Sequence, residues 1–368
     1  MNAQQIVEAA GLGVIWQKVN DGERLGFEDG MTLFDCPDLL AVGTIANFFR
    51  HKLHGKQTYY VVNQHINYSN ICNNGCRFCA FGRSVESPLA FELTVQDMVS
   101  KVKERLEEPI TEIHIVGGCH PYLPFSFYVD VLKGIAKIRP EAILKAYTAV
   151  EIAHFSQLSG LSEGEVLKEL KDAGLDVLPG GGAEIFSPRV RSLVCPKKLS
   201  GEGWLRISKM AHRMGIKTNA TMLYGHVETR EERLEHLLAL RDAQDETSGF
   251  LCFIPLSFQP ANTALSDIPR STGIDNLKTI AISRLILDNI PHIKAYWIML
   301  GIKMAQVALH FGADDLDGTI IEEKIGHMAG AESDKAMTRN ELVRVIKEAG
   351  FEPVERNTYF EPIRRKYS

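Results

Sequence analysis

Seven short, nearly unbroken apolar runs, separated by segments with helical signals, restrict this 368-residue chain to few architectures. The runs are YVVNQHI (60–66), EIHIVGG (112–118), ILKAYTA (143–149), LDVLPGG (175–181), IKTNATMLYG (216–225), FLCFIPL (250–256) and HIKAYWI (292–298). Runs without polar alternation suit strands buried on both faces, as in parallel sheets. The segments between them carry helix starts: Thr94 with Asp97, Ser162 with Glu165 and Thr229 with Glu232. Thr338 with Glu341 repeats the signal near the end of the chain. In each, a hydroxyl can accept from a first-turn amide while the acid three residues on answers back. Leu342, Val345, Ile346 and Ala349 then form one apolar stripe.

Repeated strand–helix units predict an α/β fold with helices outside a parallel sheet. Six to eight units curve into a full or partial (β/α) barrel whose strand C-terminal ends line the site. Residues 1–58, with Leu33, Leu39, Leu40, Ile45 and Phe48, read as an N-terminal helical cap. Residues 59–318 read as the barrel, and 319–368 as an α+β extension packing on it. A chain this long exceeds the usual single core unless it is such a barrel.

The net charge of −5 argues against a nucleic-acid-binding surface. The opening residues lack a secretory signal, and no stretch of ~18 apolar residues offers a membrane span. The expectation is a cytoplasmic protein with no membrane association. Three of the seven cysteines fall within eight residues, which fits a metal site in a reducing compartment better than a disulfide framework.

Those three lie in NYSNICNNGCRFCAFGR (67–83), directly after the first strand, and place Cys72, Cys76 and Cys79 in C-x3-C-x2-C spacing. A loop leaving a strand end can wrap three thiolates around one face of an iron–sulfur cubane, for which thiolate is the selected ligand. One iron then lacks a protein ligand and is open to a cofactor or substrate. The pattern resembles that of radical S-adenosylmethionine (SAM) enzymes. There SAM binds the open iron of a [4Fe–4S] cluster, and the protein supplies geometry and exclusion of water. The competing assignment is zinc, which wants four ligands; no second cysteine or histidine pair is present, although His65 lies upstream. Phe78, between the second and third cysteines, either packs near the adenine, as the pattern implies, or simply fills the loop.

Paired glycines in VGGCHP (116–121) match the segment that contacts the methionine part of SAM in such enzymes, which assigns Gly117 and Gly118 there. A tight turn explains them too, and Cys119 stands where an acid is usual. LPGGGAEI (178–185) is neither a P-loop nor a dinucleotide fingerprint.

These segments, with KAYTAVEI, NATMLYGHVET, QDETSGF and FIPLSFQPANT, resemble the aminofutalosine synthases from about residue 30 to the end. These are radical SAM transferases of the futalosine route to menaquinone. The resemblance implies that the adenosyl radical adds to 3-[(1-carboxyvinyl)oxy]benzoate. Ring attack, rearrangement and loss of a carboxylate carbon (CO2/bicarbonate) then give 6-amino-6-deoxyfutalosine and methionine. It also implies a one-electron reductant such as flavodoxin or ferredoxin. Two alternatives stand beside it. One is a sibling dehypoxanthine futalosine cyclase, which shares PGGGAEI-like and GH-x-E-T-like segments. The other, from another class, is a non-catalytic metal-stabilised binding protein.

A substrate with two carboxylates needs fixed donors and a dry cavity. The candidates at strand ends are His65, Asn67, Asn219, Thr221, Tyr224, His226 and Glu228, with Gln259 and Asn262 weaker; Arg83 closes the cluster loop. His226 is the candidate acid–base group. Glu151 can accept from SAM, or serve only as a helix N-terminal acid. Arg83 can pair with a substrate carboxylate or with a loop acid such as Glu86. DDLDG (314–318) reads as a loop turn or a cap over the barrel; its spacing does not make a calcium loop.

Overall fold

The expected strands all form, and one of the runs divides in two. The computed structural model describes residues 2–322, 324–333 and 336–364; the end of the expected extension, 365–368, lies outside them. In chain order the strands are β1 (Gln57–Val61), β2 (Asn63–Ile66), β3 (Glu112–Ile115), β4 (Ile143–Ala146) and β5 (Val177–Leu178). They continue with β6 (Lys217–Tyr224), β7 (Phe250–Ser257), β8 (His292–Ile293), β9 (Asp315–Gly318) and β10 (Glu352–Glu355).

β2 to β8 form one parallel sheet in sequence order, the partial barrel expected from strand–helix repetition. The run 60–66 is not one strand. The chain breaks at Val62, and β1 joins a separate three-stranded sheet of order β10–β1–β9. That small sheet draws strands from either side of the expected boundary at 318, so extension and barrel share hydrogen bonds.

DDLDG is neither an exposed turn nor a loop. It is buried and forms β9, and residues 315–321 occupy the gap between the first and last barrel strands. Lys294 bridges to Asp315 on one side, and Gln64 bridges to Ile321 on the other. Backbone bonds Ala295 N to Asp315 O (2.8 Å) and His65 N to Ile321 O (2.9 Å) secure both edges. The gap is thus filled by backbone that would otherwise leave polar groups unpaired.

Capping boxes form at Thr94/Asp97, Ser162/Glu165, Thr229/Glu232 and Thr338/Glu341. The 1–58 segment forms four helices, Ala3–Ala9, Gly13–Asp21, Phe27–Asp35 and Leu39–His54; the last two pack on the barrel's outer helices Arg230–Thr247 and Gly273–Ile286, and the first two pack on Leu39–His54. Leu33 and Ile45 are buried in that contact, but Leu40 is exposed at the start of its helix. Buried Arg50 ties the cap to the barrel. It donates to the Gly55, Gln57 and Ala313 carbonyls and to Thr58 Oγ1. Among the described residues no helix is long and apolar enough to cross a membrane.

Candidate active site

A cavity of about 300 Å³ opens at the C-terminal ends of the barrel strands, and Cys72, Cys76 and Cys79 form one of its walls. Their loop is pinned on several sides. Cys72 N donates to Arg83 O (3.0 Å), and Arg83 N to Asn70 O (2.8 Å). Asn73 N reaches Cys119 O (3.2 Å) beyond β3, and Arg77 N reaches Val194 O (2.8 Å).

The three thiols differ in surroundings. Hydrogen bonds from Cys119 and the Asn74 amide, with Lys198 nearby, lower the Cys72 thiol to about 5. Burial pushes Cys76 up to about 12. Cys79 Sγ accepts from Gly82 N at 3.3 Å.

Two glycines make the wall possible. A Cβ on Gly118 would stand 2.1 Å from the Ile71 carbonyl oxygen, and one on Gly117 would stand 2.6 Å from the Tyr68 ring. Both line the cavity, and both let the end of β3 pass directly beneath the cysteine loop. Glu151 also lines it, but its carboxylate is fully engaged. Oε1 accepts from Tyr68 Oη (2.7 Å) and Gly117 N (3.2 Å); Oε2 accepts from Thr148 N (2.7 Å) and Oγ1 (2.8 Å). It is the N-terminal acid of helix Ala149–Ser159, and burial raises its carboxyl despite these bonds. Phe78 lies on the same wall, with Lys198 Nζ 5.3 Å from its ring centroid.

The floor is polar. His65, His114 and Lys145 stand in one register row across β2, β3 and β4, so all three face the cavity. The two imidazole rings are 4.4 Å apart. Lys145 Nζ meets Glu112 Oε1 at 2.5 Å, and Lys294 Nζ meets Asp317 Oδ1 at 2.9 Å. Arg356 holds Asp315 at 2.6 Å, and Thr358 Oγ1 donates to Glu112 Oε2 at 2.9 Å, so the C-terminal extension closes the barrel bottom. Burial and neighbouring cations hold His114 well below the usual imidazole range, so it is neutral. Asn67 donates Nδ2 to Val116 O (3.1 Å), while its buried Oδ1 has no partner among the described residues. Asn219, Thr221 and Gln259 also face the cavity; Gln259 Nε2 is held by the Ser257 and Met299 carbonyls. Cavity-lining Glu184 and Asp317, and Tyr147 directly after β4, adopt positive φ (52°, 68° and 56°), backbone strain of the kind that gathers at sites.

Four expected site residues fall outside, as does Glu228. Tyr224 sits one residue past the inward-facing Leu223, so it turns toward the helices, where its hydroxyl donates to Asn276 Oδ1 (2.8 Å). His226 lies behind cavity-lining Phe258, with a fully buried imidazole 3.0 Å from Glu228. Burial lowers its pKa against the pull of Glu228, and it is not among the residues that line the cavity. Arg83 bends back to the Gly82 carbonyl (2.8 Å). Asn262 is likewise outside, bonded to Met328 O.

Several functional candidates were not anticipated: Lys198, Glu184, His114, Lys145, Lys294 and Asp317. Lys198 Nζ pairs with Glu184 Oε1 (2.6 Å) on the cysteine wall. His114, Lys145 and Lys294 did leave a trace, as polar residues interrupting apolar strands, whereas His65 was selected for its place near a strand end.

The donor set tests which metal group fits. Tetrahedral zinc at 2.3 Å from each sulfur needs sulfurs about 3.8 Å apart. Among the described residues, the one three-ligand group whose donor atoms all lie within 4.8 Å of one another is His54, His292 and Asp314, at the far end of β8. The three loop thiols do not form such a close group, so at least one sulfur pair is wider than tetrahedral zinc needs, and they face a cavity with room for a cofactor.

Comparison with known proteins agrees. The Radical SAM superfamily matches residues 66–240, and the CofH/MqnC C-terminal region matches 247–367. Aminodeoxyfutalosine synthase of Thermus thermophilus is 48% identical over 95% of this chain and 95% of its own. The chain belongs to the aminodeoxyfutalosine synthase family of radical SAM enzymes. Aminodeoxyfutalosine synthase of Streptomyces coelicolor is 43% identical over 95% of this chain and 93% of its own. A crystal structure of methylornithine synthase shares the fold, with a TM-score of 0.75 at 17% identity over 92% of this chain and 96% of that one. As a member of this family the chain is an enzyme that uses a [4Fe–4S] cluster and SAM.

Proposed function

We propose that this enzyme joins the adenosyl group of SAM to 3-[(1-carboxyvinyl)oxy]benzoate, giving 6-amino-6-deoxyfutalosine, methionine and CO2 or bicarbonate. The observation that carries the proposal is the two-ended cavity. Three thiols form one end, and a row of imidazole and ammonium groups forms the other. When bound, the cluster supplies the electron that cleaves SAM to an adenosyl radical.

Cys72, Cys76 and Cys79 hold the cluster. Phe78, Gly117, Gly118 and Glu151 shape the SAM wall, Glu151 by fixing the Gly117 amide and Tyr68. His65, Asn67, Asn219 and Gln259 face the substrate, and the unpartnered Asn67 Oδ1 awaits a donor. Lys145 and Lys294 are the cations available to its two carboxylates. Their existing carboxylate partners hold each ammonium in place and keep its charge buried. Ile254, Leu256, Phe258 and Met299 keep the intervening space apolar, which excludes water from a reactive carbon radical. A cytoplasmic location with flavodoxin or ferredoxin as reductant completes the proposal.

The test is anaerobic incubation of reconstituted enzyme with SAM, dithionite and the enolpyruvyl benzoate, followed by mass analysis. Adenosine carbon incorporated covalently into product is expected. Free 5′-deoxyadenosine as the main product would assign cyclase-type hydrogen abstraction instead.

A further inference from the structure

Two residues that line the reaction cavity, Gln259 and Met299, also line a second cavity of about 590 Å³. Gln259 Nε2 spans this partition, donating to the Ser257 carbonyl (3.1 Å) and the Met299 carbonyl (3.1 Å). The outer cavity is of ligand size, and the assignments above make no use of it. Its lining is mixed. Trp297, Leu300, Ile302 and Met304 offer apolar surface, while Arg270 and Lys303 bring positive charge.

One segment borders both spaces. Ile325 and Ala329 face the reaction cavity, and Glu332 and Ser333 face the outer one. The remainder of FQPANT (258–263) holds this segment in place. Asn262 Nδ2 donates to Met328 O (2.9 Å), and Gly330 lies so close that a Cβ on it would stand 2.9 Å from Ala261 Cβ. Arg270 donates Nη2 to Gly330 O (2.9 Å) and pairs through Nη1 with Glu332 Oε1 (3.0 Å). From the other side, Ser333 Oγ donates to Ile298 O (2.9 Å). The Arg270 and Glu332 side chains are 42% and 80% exposed, so solvent screens their ion pair and leaves it weak. An incoming carboxylate can therefore replace Glu332 on Arg270 at little cost, while the backbone and Asn262 bonds keep the segment tethered.

We propose that the outer cavity is the entry site for the aromatic dicarboxylate substrate, where Arg270 and Lys303 capture its carboxylates before it passes the Gln259–Met299 partition. The apolar wall of Trp297, Leu300, Ile302 and Met304 receives the ring. Positive charge then continues inward, from Arg270 and Lys303 outside to Lys294 and Lys145 on the floor. A cationic entrance concentrates a dianion and disfavours SAM, which carries a net positive charge.

The inference rests on the proposed substrate. The experiment compares holoenzymes of the wild type, Arg270→Gln, Lys303→Gln and the double variant, with iron counted in each. Initial rates of adenosylated product are measured across a range of ionic strength. In the double variant, kcat/KM for the enolpyruvyl benzoate is expected to fall at least tenfold, and the wild type's decline with salt is expected to flatten. The KM for SAM is expected to stay unchanged. A fully loaded double variant with wild-type kcat/KM overturns the inference. An equal rise in the KM for SAM overturns it too, because general structural damage would act on both substrates. If the double variant does not fold, Glu332→Cys decides. The four cysteines outside the cluster loop are buried, so a bulky maleimide reaches the new thiol selectively. Labelled enzyme with its iron intact is expected to form product at least tenfold more slowly than the same variant unlabelled, and equal rates overturn the inference. Failure of the substrate reading is separate, because the wild type would then yield no adenosylated product at all.

Discussion

Replacing Gly118 by alanine tests the geometry of the cysteine wall with a single added carbon. That carbon would lie 2.1 Å from the Ile71 carbonyl oxygen and 2.9 Å from Cys72 Cβ. Ordinary carbon–oxygen approach is ~3.3 Å, so the end of β3 and the cysteine loop must separate by about 1.2 Å. Neither partner is the free end of a side chain. Gly118 N is bonded to Ser69 O (2.9 Å) and Cys72 N to Arg83 O (3.0 Å), so the backbone itself must yield. Overpacking of this kind costs about 1–3 kcal/mol of stability, which a barrel of this size survives. A 1 Å displacement of a catalytic loop costs on the order of 100-fold in rate. The expected outcome is a folded protein with a small fall in melting temperature, depleted iron after reconstitution and SAM cleavage reduced about 100-fold. The assays are thermal melting, iron and sulfide counts and the yields of methionine and adenosylated product. A Gly118→Ala enzyme with full iron and wild-type turnover would refute the close-approach argument.

Three further outcomes follow from the floor and the sheet. Lys145→Met leaves Glu112, 1% exposed and held well below the usual carboxylate range against its burial by Lys145 and other cations, without its nearest cation. A loss of about 3–5 kcal/mol is expected in denaturant titration, with recovery in the Lys145→Met/Glu112→Leu double variant. Asn219→Ala should lower kcat/KM at least tenfold with the fold intact. Tyr224→Phe should keep turnover and lose only about 1 kcal/mol with its Asn276 bond, and equal kinetic losses in the two would refute the assigned strand faces. Burial lowers His212 to about 4 and His236 to about 3, so both stay neutral in the folded enzyme while the unfolded chain takes up protons below pH ~6.5. Stability should therefore fall as pH drops from 6.5 toward 4, by up to ~1.4 kcal/mol per pH unit per histidine, and melting curves of His212→Gln should show a shallower fall.

What could be read from the sequence was what depends on near neighbours. Helix starts such as Thr94/Asp97 are contained in four residues, and the cysteine loop in eight. Strand alternation accounts for Asn219, Thr221 and Leu223 sharing the inward face, and applied one residue further it would have excluded Tyr224. Long-range pairing was not legible. On one edge the closure of the barrel by 315–321 depends on pairing with β2, more than two hundred positions away, and the division of 60–66 follows from β1's partners in β9 and β10. Lys198 was missed because its meaning comes from Glu184, fourteen positions earlier on another element. Lys145 and Lys294 were within reach, since a lone charge in a buried strand must have a partner, and that partner marks the barrel interior.

Mössbauer spectroscopy of 57Fe-reconstituted enzyme, before and after addition of SAM, tests the central claim most directly. Cys72, Cys76 and Cys79 account for three irons of a cubane, so one iron of the four should be distinct, and its signal alone should change when SAM binds. Four equivalent irons indifferent to SAM, or a colourless protein holding one zinc at these thiols, would contradict it.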